Sequence, residues 1–314
     1  MSLWNIRAQG GRNSLPSAAV SVLKLIRPQF LAAGLVLTVL GTAVAVHDGM
    51  FDLWSAVVFL AVVWSLQIIG ATANEYADVE SDRINTNRTW FSGGSGMIVS
   101  GAVKRDTAMV LAIMLSMFAL IVGLLMSVFM EVTYLVPLLV VIGMGLGLSY
   151  SIRPLRLVYR GLGELAMGIM VSVMIPVGAF LVQDDKFDGA VILAAIPLFF
   201  QLLGLMMVVQ RPDYEADKRT GKRNLVVILG RSISWRLGVI MLFIAAATAF
   251  YGALFGLPAV PAFVAGIFLV IEALYMILLE RHLGSKAVVF WSIVVSCGFY
   301  VLVISILAAG FLVQ

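Results

Sequence analysis

Asn74-Glu75-Tyr76-Ala77-Asp78-Val79-Glu80-Ser81-Asp82 continues directly out of an apolar run, Leu53 to Ala73, that is long enough to span a bilayer. Acidic side chains at such a position are costly unless something cationic meets them. Asn74, Asp78 and Asp82 are spaced four residues apart, so on a continuing helix they share one face. An amide and two carboxylates on one face repel each other until a hard divalent cation sits among them. Mg²⁺ suits the arrangement, taking one or two carboxylates and leaving positions for phosphate oxygens. A solvated helix end with exposed acids would carry the same residues. A second copy separates the two readings. Asp213-Tyr214-Glu215-Ala216-Asp217 again pairs carboxylates at i and i+4, again after an apolar run, Ala190 to Val209. Two matching acidic faces at the ends of two spanning helices read as a two-sided metal clamp.

The composition around these stretches is that of an integral membrane protein: 61% hydrophobic and 12% charged residues. The 314 residues are therefore read as one all-α helical bundle rather than two soluble domains. Cys297 is the only cysteine and lies in an apolar run, which excludes a disulfide framework or a cysteine metal site. The formal charge of +4 is distributed as a topology signal, so no nucleic-acid partner is expected. Residues 1–26 hold no compact apolar core followed by a small-residue cleavage site, so no signal peptide is expected. Val20 to Arg27, with Lys24 between, reads as an amphipathic lead-in at the membrane surface.

Nine apolar segments approach the roughly 20 residues that a spanning helix needs: 28–46, 53–76, 107–129, 132–150, 161–182, 190–210, 233–254, 258–279 and 287–312. The expected organisation is an N-terminal cytoplasmic segment, 1–27, and one nine-helix transmembrane domain, 28–314, with a central apolar cavity. Connections after the odd helices are short and nearly free of cations, as in His47-Asp48-Gly49, Glu131 and Phe255-Gly256-Leu257. Those after the even helices are longer and basic. With the N-terminal segment and Arg236 they carry 20 of the 21 Lys and Arg residues; only Lys186 lies on the other side. This asymmetry predicts a cytoplasmic N-terminus and cytoplasmic long connections in the cell membrane, with Gln314 on the opposite face. Both acidic motifs then share one side. Their separation by four helices also suggests two related four-helix units and a closing helix.

The basic connections supply candidates for anion binding. Arg88 lies within reach of the first acidic face, and Gly93-Gly94-Ser95-Gly96 permits a sharp turn or close approach to a ligand. Tyr150-Ser151-Ile152-Arg153-Pro154-Leu155-Arg156, followed by Arg160, carries arginines that could hold a phosphate or anchor the inside face. Glu164 complements the N-terminal dipole of the fifth helix. Lys218-Arg219-Thr220-Gly221-Lys222-Arg223-Asn224 packs cations beside the second acidic pair, the mixture a diphosphate neutralised by both Mg²⁺ and basic side chains needs. Lys222 is the preferred phosphate contact. The stretch lacks P-loop spacing. His47 and His282 lie on loops, so zinc and haem ligation are not expected, and no Ser-His-Asp order exists.

At these residues the chain resembles the UbiA superfamily of intramembrane prenyltransferases. Asn74-Glu75-x-x-Asp78-x-x-x-Asp82 is similar to that family's N-D-x-x-D-x-x-x-D pattern, with Glu75 in place of the first Asp. Asp213-x-x-x-Asp217, followed by Gly221-Lys222-Arg223, is similar to its second motif. The resemblance implies that Asn74, Asp78, Asp82, Asp213 and Asp217 bind Mg²⁺-diphosphate, with Asp78, Asp82, Asp213 and Asp217 as the catalytic set. Asn74, Arg88, Tyr150, Arg153, Arg156 and Lys222 would contact the diphosphate. It further implies electrophilic prenylation, in which departing diphosphate leaves an allylic carbocation in an apolar chamber and an electron-rich ring attacks it. The expected substrates are an isoprenyl diphosphate, geranylgeranyl or longer, and an aromatic quinone precursor, with membrane lipid around the bundle and no obligate protein partner. Gly93 to Gly96 and Gly161-Leu162-Gly163-Glu164 resemble dihydroxynaphthoate-type, menaquinone-pathway members. Transfer to geranylgeranylglycerol phosphate or a chlorophyll-type acceptor stays open. A cation-coupled transporter also carries carboxylates on helices, but usually near the midplane in broken helices.

Overall fold

The computed structural model describes residues 17–130, 132–184 and 188–313. Residues 1–16, Glu131, Lys186 and Gln314, which carry part of the sidedness expectation, lie outside the described residues. Among the described residues the fold is helical, with no strand. The helices are α1 (Ala18–Leu25), α2 (Leu31–His47), α3 (Leu53–Ala77), α4 (Val79–Ile84), α5 (Arg105–Phe129), α6 (Leu135–Ser151), α7 (Gly163–Met167), α8 (Ile175–Leu181), α9 (Gly189–Val209), α10 (Tyr214–Arg219), α11 (Leu225–Phe255), α12 (Ala259–Leu279) and α13 (Lys286–Val313). A π-helical segment, Gly168–Met174, joins α7 to α8, so Gly163–Leu181 is one span.

Eight helices among the described residues are long and apolar enough to cross a membrane. This is an integral, multi-pass membrane protein. The fourth of the nine expected spans is α6, whose 17 residues fall short of that length, at about 1.5 Å of rise per residue. Capping side chains set several starts. Asp52 accepts from the Ser55 N–H at 2.6 Å before α3, and Asp188 accepts from the Ala190 N–H at 2.9 Å before α9. Asn224 accepts from the Val227 N–H at 2.8 Å before α11.

With lipid as apolar as leucine, helices associate through close packing of small residues and through buried polar contacts. Gly204 of α9 and Gly238 of α11 face each other so closely that a Cβ on either would lie 3.1 to 3.3 Å from the other's carbonyl oxygen. Helix α13 packs on both α12 and α2 and so closes the bundle. Large apolar side chains such as Ile113, Met117, Leu124 and Phe263 are exposed on the outer faces, where lipid would cover them.

Polar links also lie inside these walls. The Gln201 amide donates to the Glu272 carboxylate at 2.8 Å, tying α9 to α12, and both residues are fully buried. The Trp235 indole N–H donates to the Met276 carbonyl at 3.1 Å, tying α11 to α12. Glu272→Ala strands the Gln201 amide and should lower stability in detergent by about 1–3 kcal/mol. Glu272→Gln keeps an acceptor and should melt close to the wild type. Equal melting temperatures for wild type and Glu272→Ala would show that the link contributes nothing.

Candidate functional site

Helix α3 ends at Ala77, but the backbone keeps its helical course. The Asp78 N–H donates to the Asn74 carbonyl at 2.9 Å and the Asp82 N–H to the Asp78 carbonyl at 2.8 Å. The shared face read from the spacing therefore survives the junction with α4. Asn74 Nδ2 donates to Asp78 Oδ2 at 2.7 Å and to Ser151 Oγ of α6 at 3.1 Å. Asp78 and Asp82 are buried, and Asp78 Oδ1 has no hydrogen-bond partner among the described residues. Burial pushes the Asp82 carboxyl up to about 7; Glu75 and Asp78 add to the shift, while Lys222 and Arg88 oppose it.

The second motif is built the same way. Helix α9 ends at Val209, a 3₁₀ turn runs over Arg211–Asp213 with Pro212 in its first turn, and α10 follows. Asp213 accepts from Asn85 Nδ2 at 2.6 Å and from the Gly93 N–H at 3.0 Å. Asp217 accepts from Ser81 Oγ at 2.9 Å and from Asn224 Nδ2 at 2.8 Å. Each carboxylate of the second motif is thus held by donors from the first connection or from the start of α11, and α4 packs against α10.

Lys222 joins the two motifs. Its Nζ lies 2.6 Å from Asp78 Oδ2 and 3.1 Å from Asp217 Oδ1. Gly221, at φ 77°, turns the chain back from α10 so that Lys222 points into this space. Burial alone would push the Lys222 ammonium down, but Asp78, Asp217 and Asp213 hold it well above the ordinary lysine range.

A cavity of about 370 Å³ runs from this charged end into the bundle. Asn74, Asp78, Asp82, Asp213, Asp217, Lys222 and Tyr150 line it, as do Arg27, Gln210 and Asn224. Its deeper wall is Phe59, Val63 and Leu66 of α3, Leu202 and Leu205 of α9, and Met167, Met170 and Met174 around the π-helical segment. Three expected diphosphate contacts do not reach it. Arg88 donates to the Gly93 carbonyl at 2.6 Å and the Asp82 carbonyl at 2.9 Å, bracing the glycine loop. Arg153 is exposed, and the Arg156 guanidinium lies 3.5 Å from the Tyr159 ring centroid. Nearness to the first acidic face along the chain suggested Arg88, and positive charge together with the family resemblance suggested Arg153 and Arg156; backbone carbonyls and an aromatic face claim two of them instead. Glu164 accepts from the Leu225 N–H at 2.9 Å, so it caps the start of α11 rather than serving only its own helix.

Spacing did not single out Ser81, Asn85, Ser151 or Asn224 as partners of the acids. Only Asn224 carried a readable signal, as the preferred N-cap type immediately before an apolar run. Among the described residues no three His, Cys, Asp or Glu side chains form a ready metal cluster. The donors nevertheless fit a hard divalent cation: they are oxygen acceptors, one carboxylate oxygen of Asp78 is buried with no partner among the described residues, and two of the acids already share a cation in Lys222.

A sequence profile described as the UbiA prenyltransferase family matches residues 35–294. The chain is 29% identical over 210 residues to a Bacillus subtilis protein named 1,4-dihydroxy-2-naphthoate octaprenyltransferase, covering 66% of this chain and 65% of that one. It is 27% identical over 214 residues to the Escherichia coli protein of the same name, covering 66% and 68%. The chain therefore spans about two thirds of the length of these curated relatives. A solved UbiA homolog from Archaeoglobus fulgidus bound to GPP and Mg2+ has the same fold, with a TM-score of 0.67 at 16% identity over 94% of this chain and 100% of that one.

Proposed function

The chain belongs to the UbiA prenyltransferase family, and from that premise we propose that it transfers a prenyl group from an isoprenyl diphosphate to an acceptor within the membrane. The observation that carries this reading is one cavity with two facing acidic motifs and Lys222 at its charged end, and a Phe-, Leu- and Met-lined chamber behind them. That is the shape of a molecule with an anionic head and a hydrocarbon tail. Asn74, Asp78, Asp82, Asp213 and Asp217 would hold Mg²⁺, which neutralises the diphosphate when bound. Lys222 and Tyr150 face the same space and would bind the phosphate oxygens directly.

In the reaction, the allylic C–O bond breaks and diphosphate departs with the electron pair. A ring carbon of the acceptor then forms the new C–C bond and its proton leaves. Lys222, held at the charged end by Asp78 and Asp217, would bind the charge growing on the leaving group. The apolar wall keeps water from capturing the cation. The asymmetry of Lys and Arg supports a cytoplasmic site in the cell membrane, with residues 28–314 acting as one domain.

For the acceptor we favour an aromatic acid, dihydroxynaphthoate first, because the relatives above carry that substrate in their names. Arg27, at the cavity wall and fixed by a 2.7 Å hydrogen bond to the Phe91 carbonyl, would pair with the acid group of such an acceptor, as it would with the phosphate of a lipid acceptor. The direct test incubates purified protein with geranylgeranyl diphosphate, Mg²⁺ and each acceptor separately. Product is expected from the naphthoate. Product from geranylgeranylglycerol phosphate alone would overturn the acceptor and leave prenyl transfer standing.

A further inference from the structure

Glu75 is buried at the charged end of α3, at 2% exposure, yet it does not line the cavity. Both of its carboxylate oxygens are taken by one residue. The Ser95 N–H donates to Oε1 and the Ser95 hydroxyl donates to Oε2 at 2.8 Å. The same hydroxyl accepts from the Met97 N–H at 3.2 Å, so it is oriented by the chain that follows it.

Ser95 sits inside the glycine loop, whose Gly93, Gly94 and Gly96 all have left-handed φ between 70° and 78°. This loop touches both acidic motifs. The Gly93 N–H is one of the two donors that hold Asp213. Gly94 lies so close to Asp82 that a Cβ there would meet its carboxylate at 1.9 Å. Arg88 ties the Gly93 carbonyl back to the Asp82 carbonyl. From α3, the Glu75 side chain grips the loop.

We propose that Glu75 is a positioning residue, a latch that holds the glycine loop against Asp82 and Asp213 and so sets the spacing of the two acidic motifs without touching metal or substrate. The role depends on reach. An Asp side chain at this place ends about 1.5 Å short, one C–C bond, and cannot span to both Ser95 donors. A Gln side chain keeps the length and one acceptor. A carboxylate receiving two donors from one residue is also a charge-assisted contact, stronger than its neutral counterpart. The consequence for catalysis rests on the prenyl-transfer reading; the latch itself does not.

Two measurements keep them separate. The first is amide hydrogen exchange at Gly93 to Ser95 in the metal-free, substrate-free protein. Glu75→Asp should speed exchange about tenfold as the loop opens locally, and Glu75→Gln should lie between it and the wild type. Ser95→Ala should reproduce much of the effect, and adding it to Glu75→Asp should change little, because the two changes break one contact. Unchanged exchange in Glu75→Asp, in folded protein with wild-type melting, overturns the latch.

The second is steady-state kinetics. Glu75→Asp should raise KM for the prenyl diphosphate about tenfold with a smaller fall in kcat, and Glu75→Gln should recover part of that loss. A variant whose Mg²⁺ requirement shifts while loop exchange stays at the wild-type rate would make Glu75 a ligand and overturn the proposal. If no prenyl diphosphate reacts with the wild type, the functional reading fails, and the exchange experiment still decides the latch.

Discussion

Asp78→Asn is expected to cut prenyl transfer by about 10²–10³-fold while leaving the bundle folded. Losing one oriented group where charge develops on a leaving group typically costs that much. Asp78 Oδ2 receives both Asn74 and Lys222, while its Oδ1 is buried with no hydrogen-bond partner among the described residues. The substitution keeps the volume and an acceptor for Asn74, so packing around α3, α4 and α6 should survive. It removes the charge that anchors Lys222 and attracts the metal. Asp213→Asn should behave alike, because its carboxylate also carries two donors, from Asn85 and Gly93, and an amide can accept from only one side. Turnover measured with Mg²⁺ as the sole divalent ion checks both. Near-normal rates in either variant, at an unchanged melting temperature, would remove these acids from the reaction.

Lys222→Met should have the largest effect on stability without metal, and that effect should depend on Mg²⁺. The ammonium sits between two buried carboxylates. Deleting one partner of a buried ion pair costs about 3–5 kcal/mol, because it leaves charge uncompensated. A divalent cation entering the same oxygens would restore the balance, and a ligand present at 100 times its dissociation constant returns about 2.7 kcal/mol. Melting in detergent with and without MgCl₂ should therefore show a larger Mg²⁺-induced rise in the variant than in the wild type. The variant should also turn over poorly with Mg²⁺ present, since Lys222 would no longer bind the leaving diphosphate. Equal Mg²⁺ shifts in the two proteins would mean that Lys222 and the metal do not share these carboxylates.

The membrane bundle and its acidic ends were legible without coordinates, for a local reason. Apolar length decides whether a segment can cross a bilayer, and a spacing of four decides which side chains share a helix face. Asn74 and Asp78 accordingly hydrogen-bond each other even though α3 formally stops between them. The acid pair after α9 likewise follows from its own five residues and the apolar run before them. Lengths were less secure than existence: α6 follows the expected segment closely but ends as a helix of 17 residues.

What the tertiary structure alone decided is which partner each charged group takes. Ser81 and Asp217 are 136 residues apart, Asn85 and Asp213 128, and Asn74 and Ser151 77. No local period relates such positions; packing of α4 on α10 and of α3 on α6 brings them together. The same holds for the cations. Arg88, Arg153 and Arg156 look equivalent to Lys222 by charge, yet of these four only Lys222 lines the cavity. A buried carboxylate takes whichever donor the fold delivers in the right geometry. Glu75 is the clearest case. As a letter in an acidic motif it has no legible role of its own; its position on α3 keeps it out of the cavity lining and sets it on Ser95.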